Sequence, residues 1–181
     1  MGRPKAFLPG PGGAPLIEVA LNALRAAGAE HLLIGANDPA PFASLGVRVV
    51  PDATPGRGPV EGVLALLEAS PTAWTLVVAC DMPQLDPAVL RGLVERALSL
   101  EAGRDAVVPR TAGRLQPLHA VYHQRATEKI LSARLAGVDR LTTVVESLDL
   151  DVPTLPDGPS FRNLNTPDDL DELGRGRGAP L

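Results

Sequence analysis

Short apolar runs alternate along this chain with stretches whose apolar residues recur every three to four positions, and no other feature narrows its fold as much. "PLIEVALNALRAAGAE" has the helical period and stops at Gly28, and the apolar run "HLLIGAN" follows. "VRVVPD" reads as a second strand, "GPVEGVLALLEAS" as a helix, and "AWTLVVACD" as the most apolar strand, expected at the centre of the sheet. "DPAVLRGLVERALSLEAG" opens with Asp86 as helix cap and Pro87 at the first helical position, and is expected to close at Gly103. "DAVVP" and "LHAVYHQ" are further strands. Helical patterns follow in "RATEKILSARLAG", "DRLTTVVESLD" and, last, "TPDDLDELG". Strands separated by helices of this length predict a mostly parallel sheet with helices on both faces, an open three-layer α/β/α sandwich.

The chain has 181 residues, which fits one domain over 1–173, and "GRGRGAPL" at 174–181 has no apolar face and reads as a flexible tail. With 3% aromatic residues the core must be built from Leu, Val and Ala. The same scarcity, with a net charge of -4, argues against nucleic acid as a partner. A single cysteine, Cys80, forms no internal disulfide, and no stretch approaches the roughly 18 consecutive apolar residues of a membrane span. A cytoplasmic protein without membrane association is expected.

Open parallel sheets bind ligands at the carboxyl ends of their strands, which singles out Asn37, Asp52 and Asp81. Loop Asn and Asp also serve simply to close turns, and position alone leaves both readings open. For Asp81 the turn reading is weaker, because the following helix already has its cap in Asp86. A carboxylate at the mouth of the most apolar strand suits Mg²⁺, which takes hard oxygen ligands from one or two carboxylates plus substrate phosphates. Cys80 beside it reads as a small core residue rather than a nucleophile. Lys5 is either a solvated charge or a point cation for phosphates. Gly56, Gly58 and Gly62 either build a turn into a helix or let a flat base approach the backbone. Thr166, Pro167 and Asp169 make a helix start whatever Asn163 and Asn165 do. His31, His119 and His123 form no zinc-like cluster and are assigned no catalytic work.

In order along the chain, "MGRPKAFLP", "PLIEVALNAL", "VVPD", "GPVEG", "VVACDMPQLDPAVL", "QPLHAVY" and "FRNLNTPDDL" resemble the MobA-type nucleotidyltransferases, in particular the molybdenum cofactor guanylyltransferases. The resemblance implies a Rossmann-like fold of the nucleotide-diphospho-sugar transferase type and Mg²⁺-dependent transfer of GMP from GTP to molybdopterin, releasing pyrophosphate. It implies that Lys5 contacts the phosphates, that Asn37 and Asp52 lie in the nucleotide site, that Asp81 carries the metal, and that Asn163 and Asn165 line the pterin side. Molybdenum cofactor insertion proteins or molybdoenzymes would be transient partners. Such proteins usually begin with a strand and a Leu-Ala-Gly-Gly loop running into Arg-Met-Gly and Asp-Lys. Residues 1–181 lack that strand and loop, and Pro4 stands where Asp is common. Met1 therefore reads as an internal methionine, and a sheet without its first strand is expected to be of low stability. Two other readings stay open: a catalytically incompetent remnant that binds a pterin or a partner, and a related transferase using CTP or a sugar phosphate.

Overall fold

The computed structural model describes residues 5–164 apart from 55, 57 and 102. Asn165, the Thr166–Asp169 helix start and the 174–181 tail lie outside the described residues. After a single 3-10 turn at Lys5–Phe7 and another at Pro11–Gly13, the elements run α1 (Leu16–Ala26), β1 (Leu33–Gly35), β2 (Arg48–Val50), α2 (Pro59–Ala69), β3 (Trp74–Val78) and α3 (Pro87–Ser99). Then come β4 (Ala106–Val107), β5 (Arg110–Thr111), β6 (Arg114–Leu115), β7 (His119–His123), α4 (Ala126–Leu135), α5 (Leu141–Glu146) and β8 (Leu150–Asp151).

Local chemistry sets the boundaries. Gly28, at φ +100°, ends α1: the Ala29 N–H reaches Leu24 O at 3.0 Å while the Gly28 N–H reaches Arg25 O. That is the paired closure a left-handed glycine permits. At the start of α3 the Asp86 carboxylate accepts the Ala88 N–H at 2.8 Å, and Pro87 holds the first helical position. The helix stops at Ser99, short of the expected Gly103, because Leu100 turns to extended backbone and packs beside Leu93 and Ala97.

Two helical layers enclose the strands. In α2, Val60, Val63, Leu64 and Leu67 recur at helical spacing and pack with Ile130 of α4, Val144 and Val145 of α5, and Ala106, Ala120 and Tyr122 of the sheet. Strand alternation sends Val107 and Val121 to the other face, where they meet Leu93 and Ala97 of α3. Each such side chain, fully buried, contributes roughly 1.5–3 kcal/mol. The α/β/α sandwich expected from the sequence is therefore present.

The sheet differs from expectation in two ways. It is mixed: β7 runs antiparallel to both β3 and β4, while β1/β2 and β4/β8 are parallel. Only the small β5–β6 hairpin separates β4 from β7, with Ala112 at φ +44° and Gly113 at φ +77° in its turn. No helix intervenes, and parallel neighbours need a long crossover.

The second difference concerns β3, expected at the centre, which among the described residues pairs with a strand on one side. Among the described residues the strands form a β1–β2 pair and a separate β3–β7–β4–β8 sheet, with β3 at its edge. Between them lies a cavity of about 220 Å³, lined by Leu33, Ile34 and Gly35 of β1, by Leu76, Val77 and Val78 of β3, and by apolar residues of α1 and α2. The facing edges of β1 and β3 hydrogen-bond to no strand among the described residues. Among the described residues, no helix is long and apolar enough to cross a membrane.

Candidate active site at the strand ends

The register of β1 and β2 brings two of the three strand-end residues together. Gly35 lies opposite Val50, so Asn37 and Asp52, each two residues further on, emerge side by side. They close a reciprocal pair: Asn37 Nδ2 donates to Asp52 Oδ2 at 3.1 Å, and the Asp52 N–H donates to Asn37 Oδ1 at 2.9 Å. Each side chain thereby fixes the other, and the second carboxylate oxygen, Asp52 Oδ1, has no hydrogen bond among the described residues and lies beside Gly62 of α2. A β-carbon built at Gly62 would sit 3.6 Å from that oxygen, an ordinary contact. Gly56 and Gly58 differ, at φ +86° and +78°, a region that L side chains rarely adopt. The turn reading thus accounts for those two glycines and not for Gly62.

Asp81 lies in a different setting. Its carbonyl accepts the Leu164 N–H at 2.8 Å, which anchors the segment carrying Asn163 next to it. Its Oδ1 is buried and has no hydrogen-bond partner among the described residues. Burying a carboxylate oxygen without a donor is costly, so such an atom marks a place where a cation or donor belongs. No group of three or more His, Cys, Asp or Glu side chains that could hold a metal occurs among the described residues. One hard oxygen ligand without a protein cage fits a divalent cation that shares its remaining ligands with water and substrate phosphates.

Lys5 opens the first 3-10 turn with its side chain exposed, while Ala6 is buried with Ile34 against Ala36 and Cys80. The Cys80 thiol feels both neighbouring charges. Burial, and then the Asp81 carboxylate, push its pKa up, and Lys5 offsets only part of that rise. The thiol therefore stays protonated, as befits a core residue rather than a nucleophile. The Ala6, Ile34, Ala36 and Cys80 cluster also joins the end of β3 to the ends of β1 and β2. Asn163 is exposed, and Asn165 lies outside the described residues.

Two buried features escaped sequence reasoning. Val78 of β3 is paired with His119, whose imidazole is fully buried, with neither ring nitrogen hydrogen-bonded among the described residues, and lies 4.5 Å from the Phe161 ring. Burial lowers its pKa to about 4, so the ring is neutral at pH 7. The other feature is Glu61, in the first turn of α2 and 1% exposed, whose Oε1 lies 3.0 Å from Arg134 Nη1 of α4. Neither leaves a sequence motif: the apolar run of β7, buried on both faces, could have flagged His119 as buried, but nothing links Glu61 to a partner 73 positions away.

Residues 1–152 match the family described as MobA-like NTP transferase domain. A probable molybdenum cofactor guanylyltransferase of Chloroflexus aggregans is 36% identical over 150 residues, covering 77% of this chain and 70% of that protein. One from Natronomonas pharaonis is 34% identical over 172 residues, covering 88% of this chain and 83% of that protein. Among solved structures, the molybdopterin-guanine dinucleotide biosynthesis protein A of Archaeoglobus fulgidus superposes with a TM-score of 0.76 at 27% identity, over 96% of this chain and 90% of that one.

Proposed function

From the premise that this chain belongs to the MobA-like NTP transferase family, we propose that it is a molybdenum cofactor guanylyltransferase, transferring GMP from GTP to molybdopterin. The terminal phosphate of molybdopterin attacks the α-phosphorus of GTP, a new P–O–P link forms, and the bond to the β-phosphate breaks to release pyrophosphate. The attacking group is already an anion, so no protein nucleophile is required, in keeping with a protonated Cys80. What the enzyme must supply is alignment and neutralisation of charge.

The observation that carries the reading is the bare, buried Asp81 Oδ1 at the carboxyl end of β3. Asp81 would hold the divalent cation, which we take to be Mg²⁺, and the cation would offset charge on the α-phosphate and the leaving pyrophosphate. Lys5, an exposed cation whose charge is felt at Cys80 beside Asp81, would contact the phosphates. Asn37 orients Asp52, and the free Asp52 oxygen would accept hydrogen bonds from the nucleoside. Asn163, next to the residue that bonds Asp81 O, would face the pterin substrate together with Asn165. We place the reaction in the cytoplasm, with no nucleic acid and only transient protein contacts.

Incubation with molybdopterin, Mg²⁺ and either GTP or CTP tests this reading, with chromatographic detection of the dinucleotide and release of pyrophosphate. A guanine dinucleotide formed in preference to the cytosine one is the expected result. Absence of the guanine product, or preference for CTP, would defeat it.

A further inference from the structure

We propose that Arg134 is a positioning residue for the nucleotide side of the site, acting through Thr54 and Glu61 without touching the nucleotide. The inference rests on the guanylyltransferase reading above.

The segment that leaves Asp52 enters α2 within a few residues, and one guanidinium reaches both of its ends. Arg134 Nη1 is 3.0 Å from Glu61 Oε1 and donates to Thr54 Oγ1 at 3.5 Å. Thr54 lies two residues beyond Asp52, and Glu61 is the neighbour of Gly62, which lies against Asp52 Oδ1. A shift of α2's first turn or of Thr54 therefore moves the surroundings of the one carboxylate oxygen that Asn37 leaves free. The α4–α5 connection passes close to the same turn, with the Asp139 carbonyl 3.9 Å from where a Gly58 β-carbon would stand.

Fold stability alone gives little reason for the pair. Two well-packed apolar residues of similar volume serve a core as well as a buried ion pair, or better. Neither carboxylate oxygen of Glu61, nor Arg134 Nε, all buried, has a hydrogen-bond partner among the described residues, so the 3.0 Å contact is an ion pair without a well-aligned hydrogen bond. A pair built for stability would use those atoms. What the pair provides is a fixed distance between α4, which is anchored in the core through Ile130, and the two ends of the segment beside Asp52.

The decisive variant is Glu61→Leu with Arg134→Met, which removes both charges together and so strands neither. It is expected to keep the melting temperature and to leave kcat for GMP transfer within about twofold, while KM and the directly measured dissociation constant for Mg–GTP rise about fivefold, as for loss of one net hydrogen bond. Thr54→Val is expected to raise KM for GTP by a similar factor in the native background and to add nothing to the paired variant. Both contacts come from the one nitrogen Nη1, and the shorter side chain of Arg134→Lys keeps a charge near Glu61 but withdraws it from that point, so it too should raise KM at an unchanged melting temperature. A folded paired variant with unchanged GTP affinity, or a Thr54→Val effect that adds in full, would overturn the inference. Should the paired variant fail to fold, unchanged affinity in both Thr54→Val and Arg134→Lys would overturn it equally. An unmodified chain that makes no guanine dinucleotide defeats the proposed function instead, so the two failures are distinguishable.

Discussion

The strand ends after β1 and β2 and the strand end after β3 hold carboxylates in opposite states. Asp52 is half-buried, with one oxygen and its own N–H engaged by Asn37, whereas Asp81 keeps a buried oxygen that no donor meets among the described residues. The first arrangement is complete without a ligand and acts as a preformed template. The second becomes electrostatically satisfied only with a cation. The contrast assigns recognition to one end and charge neutralisation to the other, and it can be broken at either.

The largest effect is expected from Asp81→Asn. Removing the charge should lower kcat by about 10²- to 10³-fold, the scale found for loss of one charge-stabilising group, while the melting temperature holds or rises because a buried charge is relieved. A variant with native kcat in a stopped-time transfer assay would dissociate Asp81 from the metal.

The β3 side should also be the acid-sensitive one, through His119. Its folded pKa of about 4 lies below the ordinary 6.5, so between those values the unfolded chain takes up a proton that the folded ring refuses. The contribution is complete above pH 6.5 and declines as pH falls toward about 4, for a total loss of about 3 kcal/mol. Urea titrations at pH 7.5, 6 and 5 would measure it, and His119→Phe should flatten this part of the slope.

On the template side, Asp52→Ala is expected to raise KM for GTP about tenfold by deleting an acceptor and freeing Asn37, with kcat nearly unchanged. Equal losses in kcat and kcat/KM would place Asp52 in the transition state instead. The smallest expected effect belongs to Gly62→Ala. A helical position with an ordinary contact to Asp52 should gain about 0.5–1 kcal/mol of stability, read as a slightly higher melting temperature. A tenfold loss of GTP affinity in that variant would show that a ligand needs the space the protein leaves there.

Much of this was readable from period and punctuation. The ordered motifs pointed to the family that residues 1–152 match, and Gly28, Asp86 and Pro87 marked helix ends where the backbone puts them. The antiparallel course of β7 was legible only in the lack of a helical pattern between "DAVVP" and "LHAVYHQ", because alternation within one strand carries no information about the direction of its neighbour. The place of β3 in the sheet does not follow from its composition: high apolarity reports burial by helices, and β3 has α2 and α3 for that whatever lies beside it. For the site, strand-end position alone found Asn37, Asp52 and Asp81. Their different states depend on register and on the return of Leu164 to Asp81 from 83 residues away, which no local pattern encodes.

The cavity between β1 and β3 has a mechanical consequence. Among the described residues the template carboxylate follows the β1–β2 pair and the cation carboxylate follows β3, and α1, α2 and the cluster around Ala6 join the two. A ligand that grips both would act as a brace across that seam. Its binding energy would then appear in part as slower amide exchange along the facing edges of Leu33–Gly35 and Trp74–Val78, far from any atom it contacts.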